Sequence, residues 1–382
     1  MQIVKIEASV VQAEVIKPYV TAMDKRGMTT TRCVIVRMYS DNGFCGLGES
    51  DPLAGFSAES VESVMAAIRN YVGPAVMGMD PGNLAALHMK MDAAMLEAPF
   101  AKAAIDVAAH DLLGRALGVP VYQLLGGRVR DQIPMVWAIG GGKPEANVQE
   151  ALERVEEGYG TLHVKLGAYS PEEDVARIKA VREAVGDDVF IMADANQAWD
   201  RSTAIRVVRQ LEPFNLSMIE QPVPHWDLES MAKIQAAVDT PISADESLHS
   251  IHAAVELVRR NAAQAFSLKT GKCGGLFRTR QIASILEAAG LPCFVNSMIE
   301  TGISVAASLH LAASVPNLIQ SDKRHGHALM SNLRLKEDIL VDGSFSYDGR
   351  DIIVPQNCVG LGVTLDEERF ERRTLERFVL ER

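Results

Sequence analysis

The stretch TLHVKLG (residues 161–167) decides how the chain is read. Extended backbone alternates its side chains with period two. Leu162, Val164 and Leu166 therefore share one face, and His163 and Lys165 share the other. An apolar face suits packing on helices. A basic face on the same strand suits an enclosed mouth where cations have work to do.

Similar short apolar runs recur along the chain: PMVWAIGG (134–141), VFIMADANQ (189–197), LSMIEQP (216–222), PISADES (241–247), AFSLKTGK (265–272), CFVNSMIETG (293–302) and NLIQSD (317–322). Amphipathic helical stretches separate them. One opens with Ser170-Pro171-Glu172-Glu173, a capping box with proline at the first helical position. Strands alternating with helices at a period near 25 residues imply parallel βα units, and eight such units suggest a closed barrel. A doubly wound open sheet is the alternative, but no strand is followed by GxGxxG. Ahead of the barrel, residues 2–15 and 31–50 read as strands with a hairpin at Asp41-Asn42-Gly43, and 57–74, 82–95 and 99–117 as helices. The polar stretch between the strands, 19–31, reads as a flexible loop. Turn signals at Asp342-Gly343 and Asp348-Gly349 mark a tail that packs back on this first unit.

Composition bounds the function. Apolar residues at 48% and charged residues at 23% suit a globular chain with a sizeable core. A net charge of −11 argues against nucleic acid or an acidic membrane surface as partner, though not against a small anion met by local cations. The five scattered cysteines have no metal-type spacing and read as reduced thiols of a cytoplasmic protein. The opening MQIVKIEASVVQAEV alternates like a strand rather than a signal peptide, and no apolar run has the length of a membrane span.

Barrel enzymes place their chemistry at the C-terminal ends of the strands. There the runs hold His163 and Lys165, then Asp194 and Asn196, Glu220, Asp245 beside Glu246, Lys269, and finally Asn296, Met298 and Glu300. Lys165, Asp194, Glu220, Asp245, Lys269 and Glu300 follow one another at intervals of 24 to 31 residues, about one βα unit each. Three carboxylates converging in one mouth repel unless a cation sits between them. Hard oxygen ligands favour Mg²⁺, with Mn²⁺ as a substitute. A lysine near a divalent cation and a second lysine can act as a base near neutral pH. The set suits removal of a proton α to a carboxylate, with the metal holding that carboxylate and stabilising the enediolate. Glu246 has the wrong parity for the interior and reads as a hydrogen-bond partner behind the site. Asp106 and His110, one helical turn apart, read as polar groups satisfied at a domain junction. The remaining histidines show no zinc spacing.

These residues resemble the enolase superfamily, in particular its muconate lactonizing enzyme subgroup (the mandelate racemase/muconate lactonizing enzyme family). The segments that carry the resemblance are DANQAWD (194–200), EQP (220–222), ADES (244–247), SLKTGKCGG (267–275), NSMIETGIS (296–304), AKAAIDVAAHDLLGRALGVPVYQLLGG (101–127) and VGLGVTLDEERF (359–370). The resemblance implies a modified TIM barrel, (β/α)7β, with an N-terminal α+β capping domain completed by the C-terminal tail: residues 1–125 cap, 126–325 barrel, 326–382 returning segment. It implies Asp194, Glu220 and Asp245 as Mg²⁺ ligands, Lys165 and Lys269 as the acid/base pair, and Glu300 with its neighbours near the substrate carboxylate. It implies that capping loops 19–31 and 51–57 set specificity, where Lys25 and Arg26 stand ready for a second carboxylate or polar group. It also implies a small carboxylate substrate and a homo-oligomer. The family pattern has Lys-x-Lys on the second strand, and here His163 replaces the first lysine. The reaction expected is isomerisation, either muconate-type cycloisomerisation or racemisation/epimerisation of an amino acid or dipeptide. A dehydratase or o-succinylbenzoate synthase-like lyase is the alternative. A Schiff-base aldolase would use the lysine as nucleophile and need no metal.

Overall fold

The computed structural model describes residues 1–319 and 325–382. Strands β1 (Ile3–Tyr19), β2 (Met28–Ser40) and β3 (Cys45–Ser50) form an antiparallel meander. The hairpin falls at Asp41-Asn42-Gly43 as expected, with Gly43 at φ +87°. The stretch 19–31 is far less of a loop than expected. Tyr19 pairs with Met28 and Glu14 with Thr30, which leaves only a short turn between the strands.

This sheet is buried on both faces. Ile6, Ala8 and Val10 pack with Val34, Val36 and Met38 against the helices of the first unit. Val11, Ala13 and Val15 pack with Cys33, Ile35 and Leu47 into the barrel's core. The helix Pro99–Leu117 is almost wholly buried, which explains its lack of a polar face. Gly48 lets it approach β3, since a Cβ there would lie 2.0 Å from the Ala104 carbonyl oxygen. Glu59 accepts hydrogen bonds from the amides of Phe100 (2.8 Å) and Ala101 (3.3 Å), satisfying the helix start.

Next come β4 (Gln132–Pro134), β5 (Trp137–Ile139), β6 (Thr161–Lys165), β7 (Phe190–Asp194), β8 (Met218–Glu220), β9 (Ile242–Ala244), β10 (Ala265–Leu268) and β11 (Cys293–Val295). Strands β5 to β11 form one parallel sheet in sequence order. It curls toward closure through two short segments. Leu318 bridges Cys293, His327 bridges Met135, and the Ala328 amide donates to Val295 (3.0 Å). The expected strand 317–322 is seen as the Leu318 bridge, and its residues 320–322 lie outside the described residues. The expected strand 134–141 is two strands. β4 leaves the barrel to pair with β13 (Asp351–Ile353), itself paired with β12 (Tyr347–Asp348). Finally β14 (Thr374–Glu381) pairs antiparallel with β1, so the end of the chain joins the first sheet. Among the described residues, no helix is long and apolar enough to cross a membrane.

Asp106 ties the first unit to the barrel. Its carboxylate lies 3.2 Å from both His88 Nε2 and His110 Nδ1, and it accepts from the amide of Phe277 at the start of a barrel helix (3.2 Å). Burial alone would raise this carboxyl, but His110 and His88 hold it below the ordinary carboxylate range. Burial lowers the His110 imidazole less than Asp106 raises it. The Asp106 contribution to stability is present above the ordinary carboxylate pKa of about 4 and lost as pH falls below it. The His110 contribution is full below about 6.5 and lost as pH rises through the raised value. Asp106→Asn is therefore expected to cost about 3–5 kcal/mol in urea unfolding near pH 5.5. The gap to the parent protein should narrow above about pH 6.5. A gap that is small, or constant from pH 5 to 8, would show that the triad is not an ion pair.

Candidate active site

Backbone register builds the floor of the site. Lys165 on β6 stands beside Asp194 on β7, and Asp194 beside Glu220 on β8. Leu162, Val164 and Leu166 are fully buried in the core, so His163 and Lys165 look the other way. After β7 and β8 the chain enters the left-handed region at non-glycine residues: Asn196 (φ +42°), Gln197 (φ +67°) and Gln221 (φ +36°). These turns end the strands soon after the acidic residues, which is why the barrel strands are shorter than their apolar runs. Such backbone persists where surrounding bonds enforce it. Gln221 shows how. Its amide donates to Val223 and Ser247, and its oxygen accepts from the backbone of Asp245 and Ser247.

Asp194, Glu220 and Asp245 have no solvent contact, and each is met by cations or amide donors. Lys165 Nζ lies 2.5 Å from Asp194, whose oxygens also accept from the Asn196 backbone (2.8 Å) and side chain (2.9 Å). His163 Nε2 lies 3.0 Å from Glu220 Oε2 and 3.9 Å from Asp194 Oδ2. The first contact is close, although its geometry falls short of a well-formed hydrogen bond. Asn296 donates to Glu220 at 3.1 Å. Asp245 receives Lys269 on one oxygen (2.6 Å) and Lys272 on the other (2.7 Å).

Protonation follows these contacts. Burial would lower both lysines, yet Asp194 holds Lys165, and Asp245 holds Lys269, above the ordinary lysine range. Despite burial, Lys269 and Lys272 hold Asp245 below the ordinary carboxylate range. Burial raises Asp194 in spite of Lys165. Glu220 is lowered by His163 against burial and the charge of Asp245. Burial, with Asp245 and Asp194, pushes Glu246 well up. Glu246 is buried, and Asn196 donates to it at 3.3 Å.

Above this floor lies a cavity of about 570 Å³. Of the expected residues, His163, Lys165, Asn196, Lys269, Asn296 and Met298 line its depth, and Lys25 and Arg26 its outer wall. Phe56, from the loop after β3, covers Lys269 with its ring centroid 4.3 Å from Nζ, and Met298 Sδ lies 3.7 Å from the same atom. Glu300 does not line the cavity. It sits with Glu49 and Asp51 in a buried acidic group between first unit and barrel, where burial pushes Glu49 up to about 8, Asp51 up to about 6 and Glu300 well up. Sequence reasoning missed Lys272 and Gln221, and reached Asp51 only as the first residue of a capping loop. Lys272 stands three residues after Lys269, and only the turn that follows β10 brings both onto Asp245.

The donor set suits a divalent cation. Single ligand atoms of His163, Asp194 and Glu220 lie within 4.8 Å of one another, all buried. Asp245, expected in that set, is outside this tightest group because its oxygens are drawn to Lys269 and Lys272.

Comparison with known proteins agrees with this geometry. Residues 5–126 match the mandelate racemase/muconate lactonizing enzyme N-terminal domain, and residues 146–369 match the enolase C-terminal domain-like family. The chain is 34% identical over 369 residues to muconate cycloisomerase 1 of Rhodococcus opacus, covering 96% of each protein. It is 35% identical over 343 residues to N-succinyl-L-Arg/Lys racemase of Bacillus cereus, covering 90% of each, and the crystal structure of that racemase superposes with a TM-score of 0.93 over the full length of both chains. The Enterococcus faecalis dipeptide epimerase, solved with Mg and the dipeptide L-Leu-L-Tyr, superposes with a TM-score of 0.88 at 32% identity over 95% of this chain and all of that one. The chain thus belongs to the mandelate racemase/muconate lactonizing enzyme family of the enolase superfamily, whose modified TIM barrel and capping sheet it shares.

Proposed function

We propose that this isomerase removes and returns the proton on the carbon α to a substrate carboxylate, with Lys165 and Lys269 as the two proton carriers. The observation that carries this reading is the paired arrangement of the lysines. Each reaches the cavity from a different strand, and each is balanced by its own carboxylate, Asp194 for one and Asp245 for the other. A divalent cation held by those carboxylates would take from each lysine the charge that keeps it protonated, and two such groups in one mouth then allow proton removal by one and return by the other, which is racemisation or epimerisation. With only one of them acting, the site supports cycloisomerisation.

Asp194, Glu220 and Asp245 would hold Mg²⁺, or Mn²⁺ in its place, with His163 and Asn296 orienting Glu220. A bound divalent cation supplies positive charge beside the substrate carboxylate, which makes the α-proton more acidic. The residues do the rest. Asn196, Asn296 and His163 face the cavity as donors for substrate oxygens, and Phe56 with Met298 shields Lys269 from water. His163 stands where the family pattern has a lysine, and its reach to Glu220 and Asp194 makes it a positioning residue for those carboxylates. We further propose residues 1–125 as the cap, 126–325 as the barrel and 326–382 as the returning segment. The five unpaired thiols support a cytoplasmic site of action.

Proton exchange in D₂O, followed by NMR with N-acyl amino acids, dipeptides and muconates, tests the chemistry. The expected outcome is deuterium at the α-carbon, slowed roughly 10²–10⁴-fold by Lys165→Ala or by Lys269→Ala. Exchange untouched in both variants would overturn the assignment. Titration calorimetry tests the metal reading. One Mg²⁺ is expected per chain, and Glu220→Gln should weaken it by on the order of 10–100-fold. An unchanged affinity, or full turnover in excess chelator, would remove Glu220 from the ligand set.

A further inference from the structure

The strand ladder beside Lys165 stops short of it on one side. β5 and β6 pair in parallel register from Trp137 and Leu162 to Ile139 and Val164, one residue before Lys165. Beyond Ile139 the chain turns to the first unit, and the Gly141 amide donates to the Val20 carbonyl (2.8 Å). On its other side Lys165 stays in register with Asp194 on β7. The end of β6 therefore needs a second hold on the β5 side.

The helix Pro171–Val185 supplies it. Asp174 and Arg177 lie three residues apart on one face of this helix, and both are buried, at 0% and 1% exposure. Arg177 Nη1 donates to Asp174 Oδ1 (3.0 Å), Nη2 to the Gly140 carbonyl at the end of β5 (3.2 Å), and Nε to Asn147 Oδ1 (2.7 Å). Asn147 donates in turn to the same Gly140 carbonyl (3.1 Å). Asp174 Oδ2 accepts from the amide of Gly167 (2.7 Å), two residues past Lys165. A bracket thus runs from the end of β5 through Arg177 and Asp174 to the end of β6. Gly167 cannot yield under it. It holds φ +78°, and a Cβ there would lie 2.3 Å from Ala198 Cβ and 2.8 Å from the Ala195 carbonyl oxygen.

A buried ion pair adds little net stability over well-packed apolar residues of similar volume. What this one offers is geometry, because the guanidinium fork fixes three partners at once. Neither Asp174 nor Arg177 lines the cavity. Lys269 lies outside the bracket. It is held at Asp245, beneath Phe56 and beside Met298.

We infer that Asp174 and Arg177 are positioning residues for Lys165: they stand in for the next ladder step between β5 and β6 and set the place from which its ammonium group enters the cavity. This rests on the proton-transfer reading above and separates the two lysines, since only Lys165 depends on the bracket.

Exchange of the α-proton in D₂O, measured on each enantiomer of the N-acyl amino acid that the parent protein exchanges fastest, tests it. Lys165→Ala identifies the enantiomer whose proton Lys165 takes. Arg177→Lys keeps the charge and loses the fork, and Asp174→Asn keeps the shape and loses the ion pair. Each should lower kcat for that enantiomer on the order of 10–100-fold with KM within about threefold, and leave the opposite enantiomer, served by Lys269, within about threefold of the parent. Arg182→Lys is the control. Arg182 is a second buried arginine of the same helix, but it donates to the carbonyls of Gly186, Val189, Phe214 and Asn215, ahead of β7 and β8. It should slow neither enantiomer selectively. Amide hydrogen exchange read by mass spectrometry should be at least about 10-fold faster over residues 161–169 in Arg177→Lys than in Arg182→Lys. Where muconates alone turn over, the same fall in kcat at constant KM is expected. Equal losses for both enantiomers, an effect on KM alone, an unchanged kcat, or amide exchange no faster than in the control overturns the inference and leaves the proton chemistry standing. Absence of exchange and turnover with every compound in the parent protein overturns both.

Discussion

Three carboxylates without solvent contact share one barrel mouth, and they can do so because lysines, an imidazole and amide donors meet them there. Asp194 is held by Lys165, Asp245 by Lys269 and Lys272, and Glu220 by His163 and Asn296. Removing such charges from water is expensive, and a lone one left behind costs several kcal/mol, about 3–5. The arrangement constrains its neighbours. Strand register sets Lys165, Asp194 and Glu220 in one row, and Gln221 pins the backbone of Asp245 at the required height. Beside them, burial and the charges of Asp245 and Asp194 raise Glu246 well above the ordinary carboxylate range.

The sheet of β1, β2, β3 and β14 answers a second constraint, enclosure. It shares a hydrophobic core with the barrel, so the mouth is covered by structure that is rigid rather than draped. Glu49 at the end of β3 accepts from the amides of Thr301 and Ser304, satisfying donors at the start of the helix Gly302–Ser314. Asp106 makes a similar link through Phe277. With the first sheet anchored at those two seams, the turn bearing Lys25 and Arg26 and the loop bearing Phe56 take fixed stations over the lysines.

Much of this was legible before any coordinates. The βα spacing of Lys165, Asp194, Glu220, Asp245 and Lys269 located the floor because a parallel barrel repeats once per unit and brings equivalent positions to one height. What escaped depends on turns. Lys272 gave no periodic sign because it lies on the turn beyond β10. Glu300 matched the spacing yet stands behind Asp51, since β11 ends at Val295 and the chain has turned before it. The stretch 19–31 looked like a loop because its polar residues carry no apolar alternation, while pairing with a neighbour needs none.

The sequence by itself determined the fold class, the barrel's repeat and the spacing of Lys165, Asp194, Glu220, Asp245 and Lys269 around its mouth, because these follow from period along the chain. Only the tertiary structure decided which cation serves which carboxylate and which acids burial raises. Those outcomes depend on distances between strands and turns far apart in the chain and on how completely water is excluded, and neither quantity is written in local sequence.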